Sequence, residues 1–314
     1  YIATGQLVER TARTLHTMAG LARYRGHFYN WYDTQDLRPL DPKYISTVDS
    51  GNLAGHLIAL ANACRGWRSR PFADQAQILS GIEDSLGLVG ETLRRFSKAS
   101  DAAAAAAKPL TRNLAAVSAL VAQSQTRDTP AVLAELVPVV SAAADDARAL
   151  VEDHGDAAAD LEFWTDAVWR TVESHRRDLA LTALAARALD NRLFEIEQTA
   201  RRMALGMQFG FLMDQERQLL SIGFLAAEGK LDPSCYDLLA SEARLASLFA
   251  IAKGDVPTRH WFRLGRTVTP VGAGAALISW SGSMFEYLMP SLVMRAPFGS
   301  LLERTSLLIV QAQM

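Results

Sequence analysis

Carboxylates and aromatic rings occur together in three stretches of this chain, at residues 27–52, 208–244 and 279–290. Proteins bind sugars through this combination, because ring faces stack on the apolar face of a pyranose while carboxylates and amides bind its hydroxyls. The three stretches therefore predict a binding cleft for a neutral carbohydrate. The side chains expected to contact the sugar are Trp31, Tyr32, Asp33, Asn52, Asp214, Arg217, Tyr236, Asp237, Glu242, Arg244 and Trp280.

Two carboxyl groups are needed to break a glycosidic bond, one to protonate the leaving oxygen and one to act as nucleophile or to activate a water. Glu286 is the first candidate, since it lies among aromatic residues where desolvation would raise its pKa toward that of a general acid. A glutamate that is buried and satisfied by backbone amides is the alternative. Asp49 is the second candidate, although its place before a predicted helix also fits a capping residue.

Other kinds of site find little support. Asp214 and Arg217 are three residues apart, a spacing that also fits a structural ion pair. Cys64 and Cys235 stand far apart with no cluster at metal-ligand spacing, and no glycine-rich phosphate loop occurs. We therefore expect neither a metal nor a nucleotide cofactor in this domain.

The elements that must position these residues are mainly helices. The pattern predicts a helix over residues 5–23, an extended segment or loop at 27–34, and a helix over 53–63. Alanine dominates from 69 to 203, which predicts a helical arm whose last segment, 156–203, is one extended helix. The breaks of this arm are expected at Pro109, Pro130, Pro138 and Gly155.

Glycine and aromatic residues return after residue 204. Residues 219–224 fit a short strand, and residues 234–252 predict a helix that Gly254 ends. A close-packed turn is expected between 267 and 290, before Glu286. The apolar run at 307–310 is typical of a helix still in progress.

Composition limits the class of protein. The chain has 314 residues, of which 49% are hydrophobic and 21% charged, so it is long and apolar enough to bury a substantial core. A net charge of -2 gives no reason to expect nucleic acid or an anionic membrane as partner. Neither a membrane span nor a signal peptide is expected. The first residue, Tyr1, and the apolar last run suggest a piece of a longer protein.

Several longer strings resemble the glucoamylase-like region of cyclic β-1,2-glucan synthases. The resemblance spans nearly the whole chain, and the alanine-rich arm is its least distinctive part. The strings are RGHFYNWYDT at residues 25–34, STVDSGNLAGH at 46–56, YDLLASEARLAS at 236–247, AKGDVP at 252–257 and WSGSMFEYLMP at 280–290.

The resemblance implies an all-α fold, an incomplete (α/α)6 barrel of the glucoamylase-like type with an inserted alanine-rich helical arm. Residues 1–68 and 204–314 would belong to the barrel and 69–203 to the arm. The parent would be a bacterial inner-membrane protein with this domain in the cytoplasm. A glycosyltransferase region using UDP-glucose would precede this domain, and a phosphorylase-like region would follow it.

The same resemblance implies that this domain cyclises linear β-1,2-glucan by transglycosylation. Glu286 would be the leading catalytic carboxyl, Asp49 would lie near the scissile bond, and a second catalytic carboxyl could lie beyond Met314. Two alternatives stay open at this point. The domain could be a hydrolase of the endo-β-1,2-glucanase type, or it could hold the glucan without catalysing any step.

Overall fold

The computed structural model describes residues 1–70, 74–124 and 127–314. These residues are mostly helical with a few short antiparallel strands, which confirms the helical class but not the barrel. The helices are α1 Thr4–Gly20, α2 Thr47–Ser69, α3 Gln75–Ser97, α4 Asp101–Ala106, α5 Lys108–Ala122, α6 Thr129–His154, α7 Ala159–Leu179, α8 Ala183–Gly206, α9 Arg244–Lys253, α10 Arg259–Arg263, α11 Met284–Leu288 and α12 Leu301–Gln313. The strands are β1 Arg23–Tyr24, β2 His27–Phe28, β3 Tyr44–Ser46, β4 Met213–Asp214, β5 Leu219–Ser221, β6 Gly223–Leu225, β7 Lys230–Leu231, β8 Cys235–Tyr236, β9 Val268–Val271 and β10 Gly274–Leu277.

The chain divides into two compact units. The first comprises Tyr1–Arg13 and Gly66–Phe194, and the second comprises Thr14–Arg65 and Glu195–Met314. The predicted limits of the arm at residues 69 and 203 stay a prediction. None of the described helices is long and apolar enough to cross a membrane.

The first unit is a helical bundle in which α6 packs against α5 and α7, and α3 packs against α7. Side-chain oxygens of Asp74, Ser100 and Asp128 accept backbone N–H groups at the starts of α3, α4 and α6. These caps satisfy donors that a helix start otherwise leaves unpaired. The core contains Ile82, Val89, Leu110, Val117, Leu133, Leu136, Val140, Leu161 and Val172.

Three of the four predicted breaks in this unit coincide with helix boundaries. Pro109 and Pro130 lie in the first turns of α5 and α6, and Gly155 ends α6 with a φ of 58°. The break predicted at Pro138 is wrong, because α6 continues through it. Residues on both sides, Leu136 and Val140, are buried in the core, so packing of the helix outweighs the hydrogen bond that proline removes.

The single helix predicted over residues 156–203 is also wrong. Helix α7 ends at Leu179, and α8 begins at Ala183. Between them, the Thr182 hydroxyl accepts the backbone N–H of Ala185. This cap favours a new helix start over continuation of the first.

The second unit contains the four small sheets that the described residues form. Two are hairpins, β1–β2 and β9–β10, and two have three strands, in the orders β3–β6–β7 and β4–β5–β8. Strand β3 pairs with β6 from Tyr44 opposite Leu225 to Ser46 opposite Gly223. It leads directly into α2, so the sheet fixes the start of this helix.

The helix predicted over residues 234–252 is wrong in its first half. Cys235–Tyr236 is instead strand β8, which pairs with β5, and Leu239 donates a backbone hydrogen bond to Gly265. Helix α9 begins only at Arg244 and ends, as predicted, at Gly254, which has a φ of 86°. Pairing with a distant strand therefore outweighs local helix preference here.

Helices α2 and α9 touch through their backbones. A Cβ atom built on Gly51 would lie 2.3 Å from Ala246 Cβ, 2.5 Å from its Cα and 2.6 Å from its backbone N. Only glycine fits at this position without moving one helix. The contact fixes the spacing between the helix that carries Asp49 and the helix that begins at Arg244.

We predict that Gly51→Ala lowers the free energy of unfolding by ~1–3 kcal/mol, because the added methyl group overpacks a backbone contact. The measurement is urea unfolding followed by circular dichroism. Gly66→Ala in the same helix is the control, since no atom lies within 4 Å of its added Cβ. This control should stabilise the chain by ~0.4–1 kcal/mol. Equal behaviour of the two variants would contradict the prediction.

Candidate active site

A cavity of about 410 Å³ lies at the start of α2 in the second unit. Its lining combines aromatic rings with a carboxylate and small polar groups, the combination predicted for a sugar. Trp31 is 48% exposed there. The lining residues are Phe28, Tyr29, Asn30, Trp31, Ser46, Asp49, Ser50, Leu53 and Met207.

Asp49 lies in the first turn of α2 and is exposed. It is not the N-cap, because the helix begins at Thr47 and the Ser46 hydroxyl accepts the Asp49 backbone N–H at 3.2 Å. Ser46 is held in turn by Asn30, whose Oδ1 accepts the Ser46 backbone N–H. The Asp49 carboxylate is therefore available to the cavity rather than committed to capping.

Glu286 lies in α11 and receives hydrogen bonds from three serines. Its Oε2 accepts the hydroxyls of Ser279, Ser281 and Ser283 at 3.1, 2.6 and 3.2 Å. The backbone N–H groups of Ser281 and Ser283 also donate to Oε2, at 3.0 and 3.3 Å. The carboxylate thus completes a capping box with Ser283 at the start of α11.

Because of these hydrogen bonds, the pKa of Glu286 shifts in the direction opposite to the predicted one. Burial alone would raise its pKa, but the donors on Ser281, Ser279 and Ser283 outweigh burial and hold the pKa below the usual range of a glutamate. The raised pKa expected from the aromatic surroundings is wrong, because the serine donors stabilise the charged form. Glu286 is therefore ionised near neutral pH.

Glu242 shows the opposite shift. It is half-buried in the loop before α9. Burial raises its pKa above the usual value of a glutamate, and the negative charges of Asp49 and Glu286 raise it further. Three carboxyl groups are thus linked through Glu242, because Asp49 in α2 and Glu286 in α11 each lie within electrostatic reach of it. Two of them have pKa values shifted in opposite directions.

Two tyrosines belong to the same cluster. Burial and the charges of Glu242 and Asp49 raise the pKa of Tyr236. Burial, and then Asp232, with which its hydroxyl shares a hydrogen bond, raise the pKa of Tyr44 to about 12. Both phenols are therefore neutral donors at physiological pH.

Tyr44 and Asp232 were missed by the sequence-based prediction. Tyr44 lies in β3 just before the polar run that opens α2, and Asp232 follows β7. Strands β3 and β7 both pair with β6. Knowledge of this strand pairing would have predicted that the two residues lie close together.

Three other predicted contacts also belong to this part of the unit. Asn52 lies one turn after Asp49, and its Oδ1 is buried without a hydrogen bond from the residues that the structure describes. Trp280 is 55% exposed in the loop that carries the serines. Arg244 is buried, and its guanidinium donates to backbone carbonyls.

Tyr32 and Asp33 are held by a separate loop. The Tyr32 hydroxyl donates to the Ala22 carbonyl at 2.7 Å. The Asp33 carboxylate accepts the Gln35 backbone N–H and pairs with Arg38. These side chains are engaged in shaping the loop that presents Trp31.

Asp214, Arg217 and Asp237 lie around the β4–β5–β8 sheet. Asp214 accepts the backbone N–H of Arg217 at 2.9 Å, and the Arg217 guanidinium donates to the Pro233 carbonyl. Asp237 is exposed beside β8. No group of His, Cys, Asp or Glu in the described ranges could hold a metal ion.

Comparison with known proteins finds a relative whose sequence aligns with the whole chain. No family model matches the sequence. The chain is 41% identical over 318 residues to the cyclic β-(1,2)-glucan synthase NdvB of Rhizobium meliloti (strain 1021). The match covers 100% of this chain and 11% of that protein, so the chain spans about a tenth of the relative's length.

Proposed function

This chain belongs along its whole length to the cyclic β-1,2-glucan synthase family, as its motifs indicated, and from this premise we propose that it cyclises linear β-1,2-glucan by transglycosylation. The observation that carries the proposal is that the pKa values of Glu242 and Glu286, which interact electrostatically, are shifted in opposite directions. A pair of carboxyl groups with separated pKa values supports an acid and a nucleophile in glycoside chemistry.

In the first step, the protonated Glu242 gives its proton to the glycosidic oxygen, and the bond from C1 to that oxygen breaks. The described hydrogen bonds of Glu286 converge on Oε2, so we assign the attack on C1 to Oε1. The products of this step are a glycosyl-enzyme and a released reducing-end fragment.

In the second step, the ionised Glu242 takes the proton of a sugar 2-hydroxyl. The oxygen of that hydroxyl attacks C1, and Glu286 leaves as a carboxylate. When the hydroxyl belongs to the non-reducing end of the same glucan, the ring closes without consuming water. The protonation of both carboxyls is restored, so no further reactant is needed.

The cavity at the start of α2 is the binding site that we propose for the sugar. Trp31 offers a stacking face, and Asp49 offers a carboxylate that can accept hydrogen bonds from sugar hydroxyls. Tyr44 and Tyr236 add neutral hydroxyl donors. A neutral glucan fits this set, since the cavity lining contains no cationic side chain in the described part of the chain.

Family membership also supports proposals about the fold, the rest of the parent protein and its location. We propose that the second unit is part of an (α/α)6 barrel that carries the helical arm as an insertion. The parent protein would hold a UDP-glucose-dependent glycosyltransferase region and a phosphorylase-like region on either side. It would lie in the bacterial inner membrane with this domain in the cytoplasm.

The test is to incubate the full-length protein with linear β-1,2-glucan and to resolve the products by mass. Cyclic products that lack the mass of one water are the expected result. Linear fragments alone would indicate a hydrolase of the endo-β-1,2-glucanase type. Binding without any product would indicate a domain that only holds the glucan, and either outcome would overturn the proposal.

We predict that Trp31→Ala weakens binding of linear β-1,2-glucan about tenfold, equivalent to ~1.4 kcal/mol, because a stacking face is lost. Calorimetric titration in a Glu286→Gln background prevents turnover during the measurement. Phe163→Ala is the matched control, since Phe163 is an exposed aromatic residue of the first unit. An unchanged affinity in Trp31→Ala would remove the cavity from the proposed binding site.

A further inference from the structure

Arg244 has unusual surroundings for a cation. The residue is 3% exposed at the first position of α9. One guanidinium nitrogen, Nη1, donates to the carbonyls of Ser241 and Glu286, both at 3.0 Å. The other, Nη2, donates to the carbonyl of Tyr287 at 2.6 Å.

The partners of this guanidinium are backbone carbonyls rather than a carboxylate. Its Nε is buried and makes no hydrogen bond within the part of the chain that the structure describes. Burial lowers the pKa of Arg244 to about 10, which leaves it charged at neutral pH. Burying a charge without a counter-ion is costly. Because this arrangement should destabilise the fold, a role in positioning the segments that Arg244 contacts accounts better for a buried cation here.

The three carbonyl groups belong to the two segments that carry the proposed acid and the proposed nucleophile. Ser241 precedes Glu242, while Glu286 and Tyr287 lie in α11. The guanidinium therefore joins the backbone that carries the proposed acid to the backbone that carries the proposed nucleophile. Tyr287 is fixed further, because its hydroxyl donates to the Leu277 carbonyl at 2.8 Å.

We infer that Arg244 is a positioning residue that holds the Glu242 loop and helix α11 in register for transglycosylation. This inference rests on the proposed function. It differs from the sequence-based prediction of Arg244 as a sugar contact, because every described hydrogen bond of the guanidinium points to the backbone.

The shape of the side chain makes the inference testable. A guanidinium is a planar fork whose nitrogens reach two carbonyl groups in fixed directions, whereas a lysine ammonium is a single point. Arg244→Lys keeps the charge and loses the fork. Arg244→Gln keeps hydrogen-bonding groups and loses the charge. A loss shared by both variants would assign the role to the fork.

Arg266 provides a matched control in the same unit. Its guanidinium also donates to two backbone carbonyls, those of Leu264 and Trp261, at 2.5 and 2.8 Å. These carbonyls belong to helix α10 and to the residue that follows it, close to Arg266 in sequence, and not to the acidic cluster. Arg266→Lys should therefore leave turnover close to wild type.

The first experiment measures kcat and KM for linear β-1,2-glucan with the full-length protein. We expect Arg244→Lys and Arg244→Gln to lower kcat about 100-fold with little change in KM, as small misplacements of reacting groups do. A kcat equal to that of Arg266→Lys would overturn the inference. A rise in KM with unchanged kcat would also overturn it, since that result fits a sugar contact.

A second measurement does not depend on turnover. Carboxyl carbon NMR of the 314-residue chain follows the titration of Glu242 and Glu286, and we expect their pKa values to approach each other in Arg244→Lys. Unchanged titration would contradict the inference even if the wild-type protein failed to act on glucan. If neither variant folds, slow rotation of the Arg244 guanidinium in wild type supports the inference, and free rotation overturns it.

Discussion

Glu286→Gln should abolish cyclisation, with kcat reduced on the order of 10⁴-fold or more, because the amide cannot act as the nucleophile. The substitution should remove the nucleophile without disturbing the local fold. Glutamine can keep the capping box with Ser283 that glutamate forms at the start of α11. Thermal unfolding of the variant should therefore stay close to wild type while turnover is lost.

A matched control exists at the start of α12. Glu303 also lies three residues after a serine cap, with its backbone N–H donating to the Ser300 hydroxyl and its carboxylate accepting the Gly299 N–H. Glu303→Gln makes the same chemical change at a helix start outside the acidic cluster and should keep its activity. Equal turnover in the two variants would rule out a catalytic role for Glu286.

The identity of the nucleophile can be tested by rescue. In Glu286→Ala, azide can enter the space of the missing carboxylate and attack C1 from the same face. The product would be an α-glucosyl azide, inverted relative to the β-linked substrate. A β-glucosyl azide would instead show that another residue of the protein still forms the glycosyl-enzyme.

Glu242→Gln is expected to lower kcat by about 10²- to 10⁴-fold and to remove the alkaline limb of the pH profile. In wild type, Glu286 must be ionised and its pKa is lowered, so activity rises as pH increases through that low value. Glu242 must be protonated and its pKa is raised, so activity falls as pH increases through that higher value. Glu242→Gln has no carboxyl group at this position to titrate, so its activity should not fall in that pH range.

The measurement is kcat/KM against pH for wild type, Glu242→Gln and the exposed control Glu228→Gln. A substrate with a good leaving group should restore the first step in Glu242→Gln, because that step no longer needs an acid, and azide should then yield a β-glucosyl product. The same substrate should not rescue Glu286→Gln. If the alkaline limb persisted in Glu242→Gln, the acid would have to be a different group.

The sequence predicted the family and the helical class, because both depend on strings and periodicity that are local along the chain. Residues 25–34 and 280–290 led to the synthases before any contact was known. Local signals also predicted the helix end at Gly254, where a positive φ is required. Helix α12 likewise contains the apolar run predicted at 307–310.

What the sequence did not predict depends on contacts between distant segments. The helix expected from residue 234 is interrupted because Cys235–Tyr236 pairs with β5. Glu286 was expected to be a general acid because its neighbours in sequence are aromatic. Its protonation is decided instead by the way the 279–283 loop folds serine donors onto one carboxylate oxygen.

The direct backbone contact between α2 and α9 has an evolutionary consequence. A glycine at position 246 would remove only one of the three atoms near an added Cβ on Gly51, and the remaining Cα and N would stay 2.5 and 2.6 Å away. No single substitution of the neighbour can therefore compensate for a larger residue at position 51. Homologues that diverge elsewhere in this unit should keep glycine there, or change the course of both helices together.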